Sequence, residues 1–173
     1  MQTQQSEMLS IQALPGLDWD VRTRIVARLN QDLATLTDLS AAYKQAHWNV
    51  LGSGFAQLHL LFDRFAAETR AYVDDIAERA LALGGIACGT IQTTAEHTAL
   101  PAFPPEERDE LRLLHELSQR VDATAQEIRV AIGATSQEPV TQDLYINIAR
   151  GVEEQRWMLL AHIPRQQSNG RGH

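Results

Sequence analysis

Apolar positions along the chain fall into four long runs at helical spacing, separated by breaks of unequal length. From about Asp20 to Trp48, Ile25, Leu29, Leu33, Leu36 and Tyr43 recur on one side of a helical wheel. Asp18 or Asp20 is placed to cap that helix, and "NVLGSG" ends it. A second run starts near Ser53. Phe55, Leu58, Phe62, Phe65, Thr69, Tyr72, Ile76 and Leu83 keep a 3-4-3-4 step for most of its length, and Gly84–Gly85 closes it as a C-terminal cap. At about 30 residues it far exceeds the typical globular helix of about 11–12.

The segment "IACGTIQTTAEHTALPAFPP" follows, with three prolines. It reads as a long crossover with room for one short helix. A third helix is expected from about Pro105 to Gly133, with Leu111, Leu114, Leu117, Val121, Ile128 and Ile132 on one side. "ATSQEPV" is a turn. A fourth helix is expected from about Pro139 to His162, carrying Leu144, Ile148, Val152, Trp157 and Leu159 inward. Two short connections and a single long one predict an all-α, ferritin-like four-helix bundle over residues 18–163. A cytokine-type bundle would need two long crossovers. Residues 1–17, polar and Gln-rich, and 164–173 read as flexible tails.

Composition narrows the function. The chain has 173 residues, 44% of them apolar, enough for one real core. Its formal charge of −7 makes it a poor partner for nucleic acid or an anionic membrane and attracts cations instead. One cysteine, Cys88, rules out an intrachain disulfide and is expected as a small buried hydrophobe. The N-terminus lacks the basic start and apolar run of a signal peptide. No stretch approaches the roughly 20 apolar residues of a membrane span. The expected compartment is the cytoplasm.

The second helix carries unusual polar residues. At about 100° per residue, His59, Asp63, Asp74 and Glu78 share one stripe on the shoulder of the apolar seam. The His59/Asp63 and Asp74/Glu78 pairs lie about 22 Å apart at 1.5 Å per residue, so one ion cannot join them. A second copy of the helix, antiparallel across a two-fold axis, would bring its acidic pair beside the first copy's His/Asp pair, twice per dimer. His47, before the intervening loop, could close on the same point. Two imidazoles and up to three carboxylates suit Fe(II), and would accept Zn(II), Mn(II) or Co(II). None of the six histidines has Glu three residues before it, so the usual intrabundle di-iron motif has no support. On periodicity alone the plainer reading stands beside this one: a solvated charged face, with His59–Asp63 an i,i+4 hydrogen bond.

The segments "KQAHWNVLG", "FAQLHLLFD" and "DDIAERALALGG" resemble the signature of the Dps family, the mini-ferritins. The likeness runs from about Asp20 to Ile163 and is weaker after Gln92 and in the third helix. It implies a hollow homododecamer with iron-oxidising centres at dimer interfaces. His47, His59 and Asp63 match the ligands from one subunit, and Asp74 and Glu78 those from its two-fold mate. Trp48 matches a tryptophan associated with electron or radical transfer; a core anchor is the equal alternative. The implied reaction is oxidation of two Fe(II) by hydrogen peroxide, or oxygen, with ferric mineral stored inside, a defence against oxidative stress. Zinc or another divalent metal could occupy the same site. Glu138 and Asp143 are candidates for an acidic iron-uptake pore, or else charges complementing a helix dipole.

The chain departs from the many members that bind DNA through a Lys-rich tail. Its first 20 residues hold no Lys or Arg but three acids, Glu7, Asp18 and Asp20, and Lys44 is its one lysine. A twelve-subunit shell would carry about −84, twelve times the chain's −7, before counter-ions screen it. Arg165 and Arg171 are the tail cations. DNA binding is therefore expected to be weak or absent. A non-enzymatic, nucleoid-associated DNA-coating protein is the alternative.

Overall fold

The structure, a computed structural model, describes residues 16–164. The tails expected at 1–17 and 164–173, with Arg165 and Arg171, lie almost wholly outside the described residues. Five helices follow in order among them: α1 (Trp19–Asn49), α2 (Phe55–Ala82), α3 (Ile91–His97), α4 (Glu110–Ala134) and α5 (Pro139–Ala161). Each boundary has a local cause. Asp18, not Asp20, caps α1: its carboxylate accepts from the Asp20 and Val21 amides at 2.9 and 3.3 Å. Gly84 takes φ +77°. That left-handed turn lets the Gly84 amide reach Leu81 O and the Gly85 amide reach Ala80 O, both at 2.8 Å, closing α2.

α1 packs most extensively on α2, and α4 on α5. The crossover returns along the bundle and lays α3, the expected short helix, against α1. Leu29, Leu36, Tyr43, Phe62, Phe65, Ile76, Leu114, Val121, Ile148 and Val152 are fully buried in one core drawn from all four long helices. Each large apolar side chain so buried contributes about 1.5–3 kcal/mol. Polar cross-ties set the register. Tyr145 donates to Asp32 Oδ2 at 2.7 Å, and Arg28 pairs with Asp32 at 2.7 Å and Glu127 at 2.9 Å, joining α1, α4 and α5. Burial pushes the Tyr145 phenol far above its ordinary range, so it stays a donor. Tyr43 donates to Gln155 Oε1 at 3.0 Å from α1 to α5.

Several expectations need correction. The third long helix starts at Glu110 rather than Pro105. Asp109 supplies its cap, accepting from the Leu111 and Arg112 amides, while Pro104–Pro105 holds the preceding residues out of helix. Leu111 and Trp157, expected inside, are 41% and 59% exposed. Cys88 is exposed, because it falls in the surface connection between α2 and α3, where its amide donates to Asn30 Oδ1. Among the described residues no helix is long and apolar enough to cross a membrane.

Candidate metal centre

His47 sits in the last turn of α1 and His59 in the second turn of α2, across the tight Val50–Gly54 connection. Their rings stack with centroids 3.8 Å apart and planes 21° from parallel. Each ring also reaches the other's main chain. His47 Nδ1 lies 2.7 Å from His59 O, and His59 Nδ1 lies 2.8 Å from His47 O. A carbonyl oxygen only accepts, so both Nδ1 atoms carry the proton and donate. In the neutral rings Nε2 is then the bare nitrogen, the state a metal ligand requires. His47 O belongs to the terminal turn of α1, where carbonyls lack helical partners, so the His59 bond is also a cap. The clamp thus fixes both imidazoles through the protein's own groups.

Asp63 lies one turn beyond His59 on α2. Its Oδ1 accepts from Lys44 Nζ at 2.5 Å. That hydrogen bond, with the ammonium charge, holds the Asp63 carboxyl below the usual range, so it is ionised at neutral pH. Lys44 also lies 5.8 Å from the Trp48 ring centroid. Trp48 is 66% exposed, which removes the core-anchor alternative. It lines a surface groove of about 560 Å³ with Lys44, Arg70, Val73 and Phe103.

Asp74 and Glu78 are exposed further along the same helix. Among the described residues no three His, Cys, Asp or Glu side chains gather closely enough to hold an ion. The chain therefore brings His47 and His59 together, with Asp63 one turn beyond, and leaves Asp74 and Glu78 apart from them towards the other end of α2. Between them α2 offers Ala66, Ala67 and Ala71, short side chains that let another helix come close, along shallow hollows that the longer Arg70 also lines.

The pore candidates separate. Glu138 caps α5: its carboxylate accepts from the Thr141 amide at 2.7 Å, from the Thr141 hydroxyl, and from Arg79 at 2.6 Å. Burial alone would raise its pKa, but these bonds outweigh burial and leave it lowered. The helix-terminus reading thus describes Glu138. Asp143 is exposed and shares a hollow with Asp75, Glu78 and Asn147.

Sequence reasoning passed over three residues around the histidines. Lys44 is one helical turn before His47, and its being the only lysine was the available signal. Phe55, four residues before His59, stacks on it at 5.1 Å; the i,i+4 spacing could have shown this. Glu110 had no local signal.

The ferritin-like domain profile matches residues 26–167. The DNA protection during starvation protein of Agrobacterium fabrum is 34% identical over 146 residues, covering 83% of this chain and 90% of that protein. DNA protection during starvation protein 1 of Deinococcus radiodurans is 31% identical, covering 79% of this chain and 67% of its own length. Among solved structures, DpsC from Streptomyces coelicolor superposes with a TM-score of 0.85 at 32% identity, covering 89% of this chain and 91% of DpsC. Mycobacterium smegmatis Dps gives 0.84 at 28%, covering 87% and 93%.

Proposed function

The chain belongs to the Dps family of ferritin-like proteins, and from that premise we propose that it is a ferroxidase and iron-storage cage. Fe(II) is the substrate. It binds where two copies meet, between His47, His59 and Asp63 of one subunit and the Asp74 and Glu78 positions of its two-fold mate. Twelve subunits enclose the ferric product.

The observation that carries this reading is the reciprocal His47–His59 clamp. It stacks two rings 3.8 Å apart with both Nδ1 protons engaged. With both Nδ1 atoms engaged, each Nε2 is left free to serve one iron of a two-metal site. Asp63 adds an ionised carboxylate to the imidazole end. The acidic pair can arrive only from another copy, and the hollows along Ala66, Ala67 and Ala71 leave room for that copy's α2.

The chemistry follows from the ligand types. Hard carboxylate oxygens favour the ferric state. Two neighbouring irons each give one electron, and one hydrogen peroxide takes both, which avoids the single-electron step that releases hydroxyl radical. Trp48, exposed beside Lys44, is the residue placed to intercept a stray oxidising equivalent. Asp143 is the remaining candidate for drawing Fe(II) towards the shell, since Glu138 is already committed to Arg79 and Thr141.

The test is anaerobic loading with Fe(II), then stoichiometric peroxide, watching near-ultraviolet ferric absorbance. Fast oxidation at about two Fe(II) per peroxide, lost in the His47→Ala/His59→Ala variant, is the expected result. No acceleration over buffer would overturn the proposal and leave a cage or DNA-coating relative.

A further inference from the structure

The first turn of α2 begins at Phe55, one turn before His59, yet its N-cap, Gly54, supplies no side-chain cap of its own. The cap comes from 56 residues away. Glu110, at the start of α4, accepts from the Gly54 amide through Oε2 at 2.7 Å and from the Ser53 hydroxyl through Oε1 at 3.1 Å. Its neighbour Asp109 caps α4 itself. Two consecutive acids therefore hold the N-termini of two different helices. A second tie runs beside them, from the Leu51 amide to Arg108 O at 2.8 Å.

The fit around Glu110 is close. Gly52 has φ +147°, and a Cβ there would overlap the Glu110 carboxylate. A Cβ on Gly54 would come to 3.0 Å from Glu110 Oε2. The loop is thus free of side chains where the carboxylate sits. The negative charge also lies at the positive end of the α2 dipole, where it is favourable.

From here the contacts run without interruption to the metal centre. Gly54 precedes Phe55; Phe55 stacks on His59; His59 stacks on His47 and bonds its carbonyl. We infer that Glu110 is a positioning residue for the centre, holding the first turn of α2 so that His59 Nε2 faces its iron. This inference rests on the ferroxidase reading of the site. Groups that orient a metal ligand from behind typically control affinity by about 10–100-fold.

The experiment is a thermodynamic cycle on the assembled, metal-free protein, with Co(II) alone as probe, read by calorimetry and by the visible bands of nitrogen-ligated Co(II). Glu110→Ala is expected to weaken Co(II) binding about tenfold and shift those bands. Glu110→Gln keeps an acceptor for Gly54 and a donor for Ser53, and is expected to restore binding to within about threefold. In a His59→Ala background, Glu110→Ala is expected to have no further effect. An equal loss in both backgrounds would mean general loosening and would overturn the inference, as would unchanged binding in Glu110→Ala. If Glu110→Ala fails to assemble, Ser53→Ala removes one of the two bonds and enters the same cycle, with about a twofold to threefold loss expected and no loss overturning the idea. A wild-type protein indifferent to His59→Ala would instead sink the metal-centre reading, and this inference with it.

Discussion

The ammonium of Lys44, the chain's one lysine, lies 2.5 Å from Asp63 Oδ1, so a cation already occupies the carboxylate end of the imidazole half-site. A divalent ion binding Asp63 must share that oxygen, displace the ammonium, or use Oδ2. The pair is substantially exposed, and such pairs are weak. Lys44→Met is therefore expected to raise Co(II) affinity by only about threefold to fivefold, measured by titration of the metal-free protein. A loss of affinity would show that Lys44 holds Asp63 in place for the metal rather than competing with it.

The His47–His59 stacking predicts non-additivity. Each single alanine variant removes one ligand and also the stacked ring that helps orient the other, while the main-chain carbonyl that accepts the remaining Nδ1–H stays in place. The singles therefore count the orientation twice. Each is expected to weaken Co(II) binding by about 10–100-fold, and the double variant by clearly less than the product of the two. Additive losses in the titrations would mean that each ring is held without the other.

Glu138 offers a test that separates capping from iron uptake. Glu138→Ala should cost about 1 kcal/mol of stability, the usual value of an N-cap. Its folded pKa is lowered, so this contribution is present above the unfolded value of about 4.3 and disappears as pH falls through the folded one. Urea midpoints of wild type and variant should differ at pH 7 and converge in acid, once Glu138 is protonated in the folded protein. Because Arg79 already answers its charge, Glu138→Gln should leave initial iron uptake unchanged, while Asp143→Asn should slow it. A larger effect at Glu138 would return it to the pore.

What was legible in the sequence was what repeats. The 3-4 spacing of Ile25, Leu29, Leu33 and Leu36 marked α1 within a residue at each end, and Gly84–Gly85 marked the end of α2. The start of α4 was misplaced because Pro105 is a good first helical residue in isolation, whereas Asp109 four residues on offers the carboxylate that makes a cap. Trp157 and Leu111 continue an apolar rhythm on the chain but turn outward, since hydrophobicity does not say where a helix face meets its neighbour. The candidate ligands are proposed from side-chain type and spacing, and of them the structure brings His47 and His59 into contact. The local machinery of the site was not legible. Lys44 with Asp63, His47 with His59, and Glu110 with Gly54 are contacts between elements, and nothing in a local window marks them.

Gly151 sets two known effects against each other. Within α5, replacing glycine by alanine should gain about 1 kcal/mol of helix propensity. But a Cβ at this position would overlap the hydroxyl of Tyr72, and the ring carbon bearing it would stand at 2.7 Å. Tyr72 projects from α2, so the clash falls where α2 and α5 meet. Forcing an extra methyl into packed structure costs about 1–3 kcal/mol, which equals or exceeds the propensity gain. Gly151→Ala is therefore expected to be neutral to destabilising by about 2 kcal/mol in chemical denaturation. With Tyr72→Ala as background the obstacle is gone, and the same Gly151→Ala change should become stabilising by about 1 kcal/mol. That reversal of sign is the decisive measurement. If Gly151→Ala lowers stability equally in both backgrounds, the close approach of α2 and α5 at this level is not governed by Tyr72.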